Sequence, residues 1–168
     1  MDKGIRSRAL RCKHVALAVT AAFLPSGQSY ALPTGEAVVA GDVTATRPTA
    51  QTMQINQATQ KGIVNWLGFS IGASEHVNIT QPNASASLLN RVVGNNPSEI
   101  FGRLTANGRV FLVNPNGVLF APGASVDVGS LFASSLALAD QDFLAGRYQF
   151  VREGMKHADE FESSAPRQ

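Results

Sequence analysis

Residues able to do chemistry are few in this chain, and they lie far apart. The histidines are His14, His76 and His157, and the one cysteine is Cys12. No spacing among them matches a zinc set, which gathers several such ligands into one short pattern. Acids fall at Glu36, Asp42, Glu75, Glu99, Asp127, Asp140 and Asp142. Asp140 and Asp142 are two apart and would face one way near a strand end. A paired-carboxylate hydrolase needs such a pair, but it also needs converging partners, and none are visible, so a solvated pair is expected. Arg91, Arg103 and Arg109 read in the same way as solvated surface residues. There is no nucleophile elbow, no phosphate-cradling glycine loop and no HExxH. The chain does not read as an enzyme, and no metal or cofactor is expected.

The sharpest local signal is instead a turn. Val110-Phe111-Leu112-Val113 and Val118-Leu119-Phe120 are apolar, strand-forming runs on either side of Asn114-Pro115-Asn116-Gly117. Asn at the first position can bond its own backbone two residues on. Pro115 sets φ near −65°, and Asn116 and Gly117 suit the two positions that follow. The sequence predicts a type I turn.

What must position this turn follows from composition. At 168 residues the chain is long enough for one domain. Charged residues make up 15% of it, against about 25% in an average domain, while Gly, Asn, Ser, Thr and Ala abound. That profile suits many short strands better than a helical bundle, and it is too apolar for disorder throughout. The basic balance is local. Lys3, Arg6, Arg8, Arg11 and Lys13 sit at the start, and beyond them 9 basic residues face 11 acidic ones. No basic stripe remains, so no nucleic-acid partner is expected.

Residues 1–31 have the layout of a secretory signal: a basic start, the apolar run Val15 to Leu24, a break at Pro25 to Gln28, and small residues up to Ala31. Cleavage is expected between Ala31 and Leu32. The apolar run is about half what a membrane span needs. Cleavage would also remove Cys12, leaving a chain held by packing and backbone ladders rather than disulfides.

Past this segment, Leu32 to Gly41 is a lead-in, and Val43, Ala45 and Arg47 alternate until Pro48 interrupts. Met53, Ile55 and Gln57 alternate as in a half-buried strand. Ile63 to Leu67 and Phe69 to Gly72 read as a strand pair or one bent strand, with Trp66 in the core. His76 to Ile79 is a further strand, and Ser87 to Val93 is open between strand and helical turn. A spacing of eight then emerges. Val110, Val118 and Val126 follow it, as do Leu104, Leu112, Phe120, Val128 and Leu136. Regular short strands of this kind belong to a meander, sandwich, barrel or solenoid. Asn107-Gly108 by itself favours a tight hairpin. Tyr148 to Val151 is a last candidate strand, and residues 154–168 read as a polar, unpacked tail.

Taken together, Asn90-Arg91-Val92-Val93 and the run from Gly102 through Asn107-Gly108 to Asn114-Pro115-Asn116-Gly117-Val118 resemble one family. It is the amino-terminal secretion domain of filamentous haemagglutinin-like exoproteins of two-partner secretion, closest to the high-molecular-weight adhesin branch. Leu32-Pro33-Thr34-Gly35, Val38 to Gly41 and Ile63 to Trp66 are similar to that branch as well, so the resemblance covers residues 32–153. It implies an all-β fold, a right-handed parallel β-helix with an amino-terminal cap. It implies passage through the Sec export machinery and signal peptidase, then through an outer-membrane TpsB-type β-barrel transporter with POTRA modules. The product would be secreted or held at the cell surface, where a host-cell surface is a possible target. Asn114, Pro115, Asn116 and Gly117 match the family's transporter-recognition motif. The family's second motif, Asn-Pro-Asn-Leu, has no match, and Asn95-Asn96-Pro97 is not its equivalent. Because the resemblance stops near Gly154, the chain reads as a shortened form. The spacing of eight would then give coils of about 24 residues, within the usual solenoid range, stacking Leu112 near Leu136 in the core. Two alternatives stay open: a secreted β-helix polysaccharide lyase or hydrolase, and a stand-alone surface adhesin.

Overall fold

The computed structural model describes residues 32–152. The expected signal segment, including Ala31, and the expected tail lie outside the described residues. Within them, short strands follow a repeating itinerary around three faces. The first face stacks β3 (Thr52–Gln57), β5 (His76–Thr80) and the first half of β8 (Arg103–Val113), and ends on the first half of β10 (Ser125–Ser134). The second stacks β4 (Lys61–Trp66), β6 (Ser87–Val92) and the later halves of β8 and β10. The third is thinner: a bridge at Ile71, then β7 (Ser98–Ile100) and β9 (Val118–Phe120). All these pairings are parallel, as a β-helix requires. Ser87 to Val93, ambiguous in sequence, is the strand β6 and one residue past it.

Side chains alternate along each strand, so one set fills the interior. Met53, Ile55, Val64, Trp66, Val77, Ile79, Leu88, Leu104, Val110 and Leu112 form one core, each at most 1% exposed. Trp66 is there as expected. Its indole N–H donates to the side-chain oxygen of Asn90 at 3.1 Å, and Asn90 is itself fully buried. A buried indole N–H needs such a partner.

Both edges of the first coil are covered. β1 (Ala37–Ala40) pairs antiparallel with β4, and β2 (Val43–Thr49) pairs antiparallel with β3. Pro48 interrupts the β2 ladder between Thr46 and Thr49, tolerable because β2 is an edge strand. Thr34 closes the cap by bridging to Gly68. Arg47 donates to both carboxylate oxygens of Glu36 and to the Pro33 carbonyl, and the guanidinium holds the Glu36 carboxyl below its ordinary range.

The second face is apolar on its outside too. Ile63, Leu89, Phe111 and Val113 point away from the first core and are covered by Leu138, Phe143, Tyr148 and Phe150. These belong to a strap outside the solenoid: β11 (Ala137–Leu138), α1 (Asp140–Ala145) and β12 (Phe150–Val151). The Phe111 ring stacks on Phe132 at 4.5 Å and meets Phe143 edge-on at 5.3 Å. Lys61 donates to the carbonyls of Phe143 and Leu144, satisfying the open carbonyl end of α1.

Three expectations are corrected. Leu112 does not stack near Leu136. Its neighbour one coil on is Ala133, and Leu136 is 38% exposed. Coils are uneven: His76 faces Arg103, Arg103 faces Ser125, and Arg109 faces Ser130, steps of 27, 22 and 21 residues. The spacing of eight does not set the coil, because strand lengths in the solenoid run from 3 residues in β7 and β9 to 11 in β8. Asn107-Gly108 makes no hairpin. It is a bend inside β8 where the strand passes from the first face to the second, and Gly129 alone spans it in the next coil. A Cβ on Gly129 would stand 2.8 Å from the Gly108 carbonyl oxygen, so the crossing needs glycine. Finally, Asp140 and Asp142 are not a solvated pair. Asp140 binds Arg91 of β6 and Asp142 binds Arg147 of the strap, so each has its own cation.

Candidate functional site

The Asn114–Gly117 turn lies at the corner where the second face passes to the third. Val113 is the last residue of β8, and β9 begins at Val118. The strands on its two sides do not pair with each other. β8 pairs with β6 and β10, and β9 pairs with β7, so the turn is a corner rather than a hairpin.

Each residue of the turn has a separate task. The Gly117 N–H donates to the Asn114 carbonyl at 2.9 Å, closing the β-turn. Among the described residues only glycines have positive φ, so Asn116 does not, which excludes type II and agrees with the type I turn that the sequence predicts. Asn114 is fully buried. Its side-chain oxygen accepts the Asn116 N–H at 2.9 Å, and its amide donates to the Asn96 carbonyl and the Ser98 hydroxyl, both at 3.0 Å. Gly117 has φ +104°, and nothing stands within 4 Å of where a Cβ would be. Glycine is needed there for its backbone conformation, since space is not limiting. Pro115 and Asn116 are exposed.

The turn rests on the loop of the preceding coil. The Asn116 amide donates to the Gly94 carbonyl at 2.8 Å, and the Ser98 N–H donates to the Gly117 carbonyl at 2.9 Å. Gly94 in turn sits so close to the coil below that a Cβ would stand 2.0 Å from the Leu67 carbonyl oxygen. Asn95-Asn96-Pro97 is thus the floor of the turn, a role that no local motif announces. The register would have revealed it, since Ser98 lies directly under Val118.

Beside the turn is an open cleft of about 540 Å³. Pro115 and Asn116 form one wall, with Val93 to Asn95 below and Ala137 to Asp140 of the strap opposite. Arg91 is at its side, fixed by Asp140 and by the Leu138 carbonyl at 2.7 Å. The cleft is largely apolar with a neutralised ion pair, which suits a protein segment better than a charged small molecule.

Other candidates do not assemble. His76 lies on the outside of the first face, its ring nitrogen 2.8 Å from the Thr105 hydroxyl. Burial and the nearby Arg103 charge lower its pKa. Thr105 donates to Asn78, and Asn78 to Gln54, which makes a polar ladder across coils. Among the described residues no group of His, Cys, Asp or Glu could hold a metal ion.

Comparison with known proteins agrees with this geometry. Residues 29–158 match the family model described as TPS secretion domain. The chain is 41% identical over 131 residues to a heme/hemopexin-binding protein of Haemophilus influenzae, covering 76% of this chain and 14% of that protein. A second such protein, from Haemophilus influenzae strain KW20 / Rd, is also 41% identical over 114 residues, which is 66% of this chain and 12% of the relative. The chain therefore spans about a seventh of the curated relatives it matches. Among solved structures it resembles the HMW1 secretion domain from Haemophilus influenzae. That match has a TM-score of 0.65 and 32% identity, covering 68% of this chain and 30% of the other. A capped parallel β-helix with this corner, matched over most of its length, belongs to the TPS secretion domain family, the secretion domain of two-partner exoproteins.

Proposed function

We propose that residues 32–153 are a non-enzymatic export address, read by an outer-membrane TpsB-type transporter through its periplasmic POTRA modules, with Asn114, Pro115, Asn116 and Gly117 at the centre of what is read. The supporting observation is the division of labour within the turn. Asn114 and Gly117 close the turn within four residues, while Pro115 and Asn116 are displayed on it, so the turn needs no stacked coils to take its shape. The Sec machinery and signal peptidase act first, cutting between Ala31 and Leu32, and the product is secreted or retained at the cell surface. Any host-cell contact is a property of the exported protein as a whole. So is any counterpart of the relatives' heme or hemopexin binding.

Energetics support the same order of events. Each coil gains stability by stacking on its neighbour, and no disulfide is needed, so folding on the far side of the membrane favours outward movement. The test is secretion of Asn116→Ala and Gly117→Ala variants in cells carrying the cognate transporter. Both variants should accumulate in the periplasm with the signal removed, and the amount outside should fall. Undiminished secretion of both would refute the assignment.

A further inference from the structure

Asn107 and Asn116 are the asparagines that precede glycine in this chain. That dipeptide is chemically labile. Glycine has no side chain to shield its nitrogen, so the nitrogen can reach the side-chain carbonyl carbon of the asparagine before it. The glycine nitrogen then bonds to Cγ, the Cγ–Nδ2 bond breaks, and ammonia leaves with the proton that the nitrogen gives up. Water opens the resulting cyclic imide at either carbonyl, which leaves aspartate or isoaspartate. The reaction needs no co-reactant but water. Asn114 is spared it, because the nitrogen of Pro115 carries no proton and is already fully substituted.

The folded chain holds both pairs out of reaction, by different means. Asn107 is clamped to the preceding coil: its amide donates to the Gln81 carbonyl and its side-chain oxygen accepts the Gln81 N–H, both at 2.7 Å. Gly108 beside it is buried. Asn116 is exposed, and its amide is held by the Gly94 carbonyl at 2.8 Å and the Asn114 side-chain oxygen at 3.2 Å. The Gly117 N–H is engaged by the Asn114 carbonyl at 2.9 Å, and nothing stands within 4 Å of where its Cβ would be. The Gly94 contact joins residues 22 apart and exists only once the coils are stacked. The turn by itself leaves the Asn116 amide with a single partner, two residues away.

We propose that Asn116 is a site of self-modification: in a chain whose coils have not yet stacked it loses its amide to Gly117, and the stacked corner stops the reaction. The product spoils the corner. Aspartate sets a carboxylate against the Gly94 carbonyl where a donor had been, and isoaspartate adds a methylene to the main chain inside a turn closed by one hydrogen bond. On the reading that the Asn114–Gly117 turn is what the transporter recognises, a chain kept waiting unfolded erases its own export address.

The experiment incubates the full purified chain in mildly alkaline buffer, with and without guanidinium chloride, and reads amide loss at each asparagine by peptide mass mapping. In denaturant Asn107 and Asn116 should react at similar rates, well ahead of Asn83, which precedes alanine. Without denaturant the rate at Asn116 should fall by at least about tenfold, since reaction then waits on opening of the corner. No excess over Asn83 in denaturant would overturn the lability, and an equal rate at Asn116 in both conditions would overturn the arrest. Asn114→Ala loosens the corner but leaves the Gln81 clamp, so without denaturant it should speed loss at Asn116 alone. An equal rise at Asn107 would trace the protection to global stability and overturn its assignment to the corner. Secretion of Asn116→Asp is then compared with that of Asn116→Ala in cells carrying the cognate transporter, and both should fall. If Asn116→Asp secretes normally while Asn116→Ala does not, the erasure is overturned and the recognition reading survives. If both secrete normally, the erasure and that reading fail together.

Discussion

Asn114 illustrates how one residue can carry a corner. Its oxygen fixes the turn, and its amide ties the turn to the coil beneath. Replacing it with Ala would leave the Asn96 carbonyl, the Ser98 hydroxyl and the Asn116 N–H short of partners. An unsatisfied buried group costs about 1–3 kcal/mol, and the site is only partly closed to water. Asn114→Ala should therefore lose about 2 kcal/mol in urea unfolding, seen as a lower midpoint at unchanged slope. The turn itself was legible in the sequence, because Asn, Pro, Asn and Gly each have a local conformational reason to be there. The floor was not, because Asn96 and Ser98 meet Asn114 only through coil stacking. The fate of Asp140 and Asp142 was hidden for the same reason. Arg91 is 49 residues from Asp140 in sequence, and only the strap's path joins them.

Among the elements, the second face is the least ordinary. An outer sheet surface that faces solvent is usually polar, yet Ile63, Leu89 and Phe111 make this one apolar. The strap is therefore a structural necessity, covering what the strands leave exposed. Phe111 is its anchor, in contact with Phe132, Phe143 and Tyr148 and fully buried. Phe111→Ala should cost about 3–5 kcal/mol. It should also release α1, which native-state proteolysis near Asp140–Ala145 would detect as faster cleavage. Valine and phenylalanine on both faces of β8 could be read from the sequence as a strand buried on two sides. That a helix would supply the second cover could not be read, since α1 has only 6 residues.

For the molecule as a whole, stability is distributed along one axis. The cap seals the first coil with antiparallel strands, whereas β10 at the other end pairs, among the described residues, with β8 alone. Interior strands should therefore open least. Amide exchange should be slowest in β6 and the second half of β8, and measurably faster in β10, whose outward N–H groups have no strand partner among the described residues. Uniform protection from β4 through β10 would mean that the end coil is covered in solution.

Strand content, the corner turn, the buried Trp66 and the alternation of Met53, Ile55 and Gln57 were determined by the sequence alone. Each depends on a residue's own conformational preference or on a period of two along the chain. Coil length, the partner of Leu112, the bend at Asn107-Gly108 and the strap over Phe111 were decided by tertiary structure. These are matters of which strand lies beside which. In a solenoid that register is set by stacking: glycines at 94 and 129 accept close approach where a side chain would collide, and corners of unequal length are absorbed as bulges. A spacing of eight along the chain could describe the strands, but only the packed coils could count them.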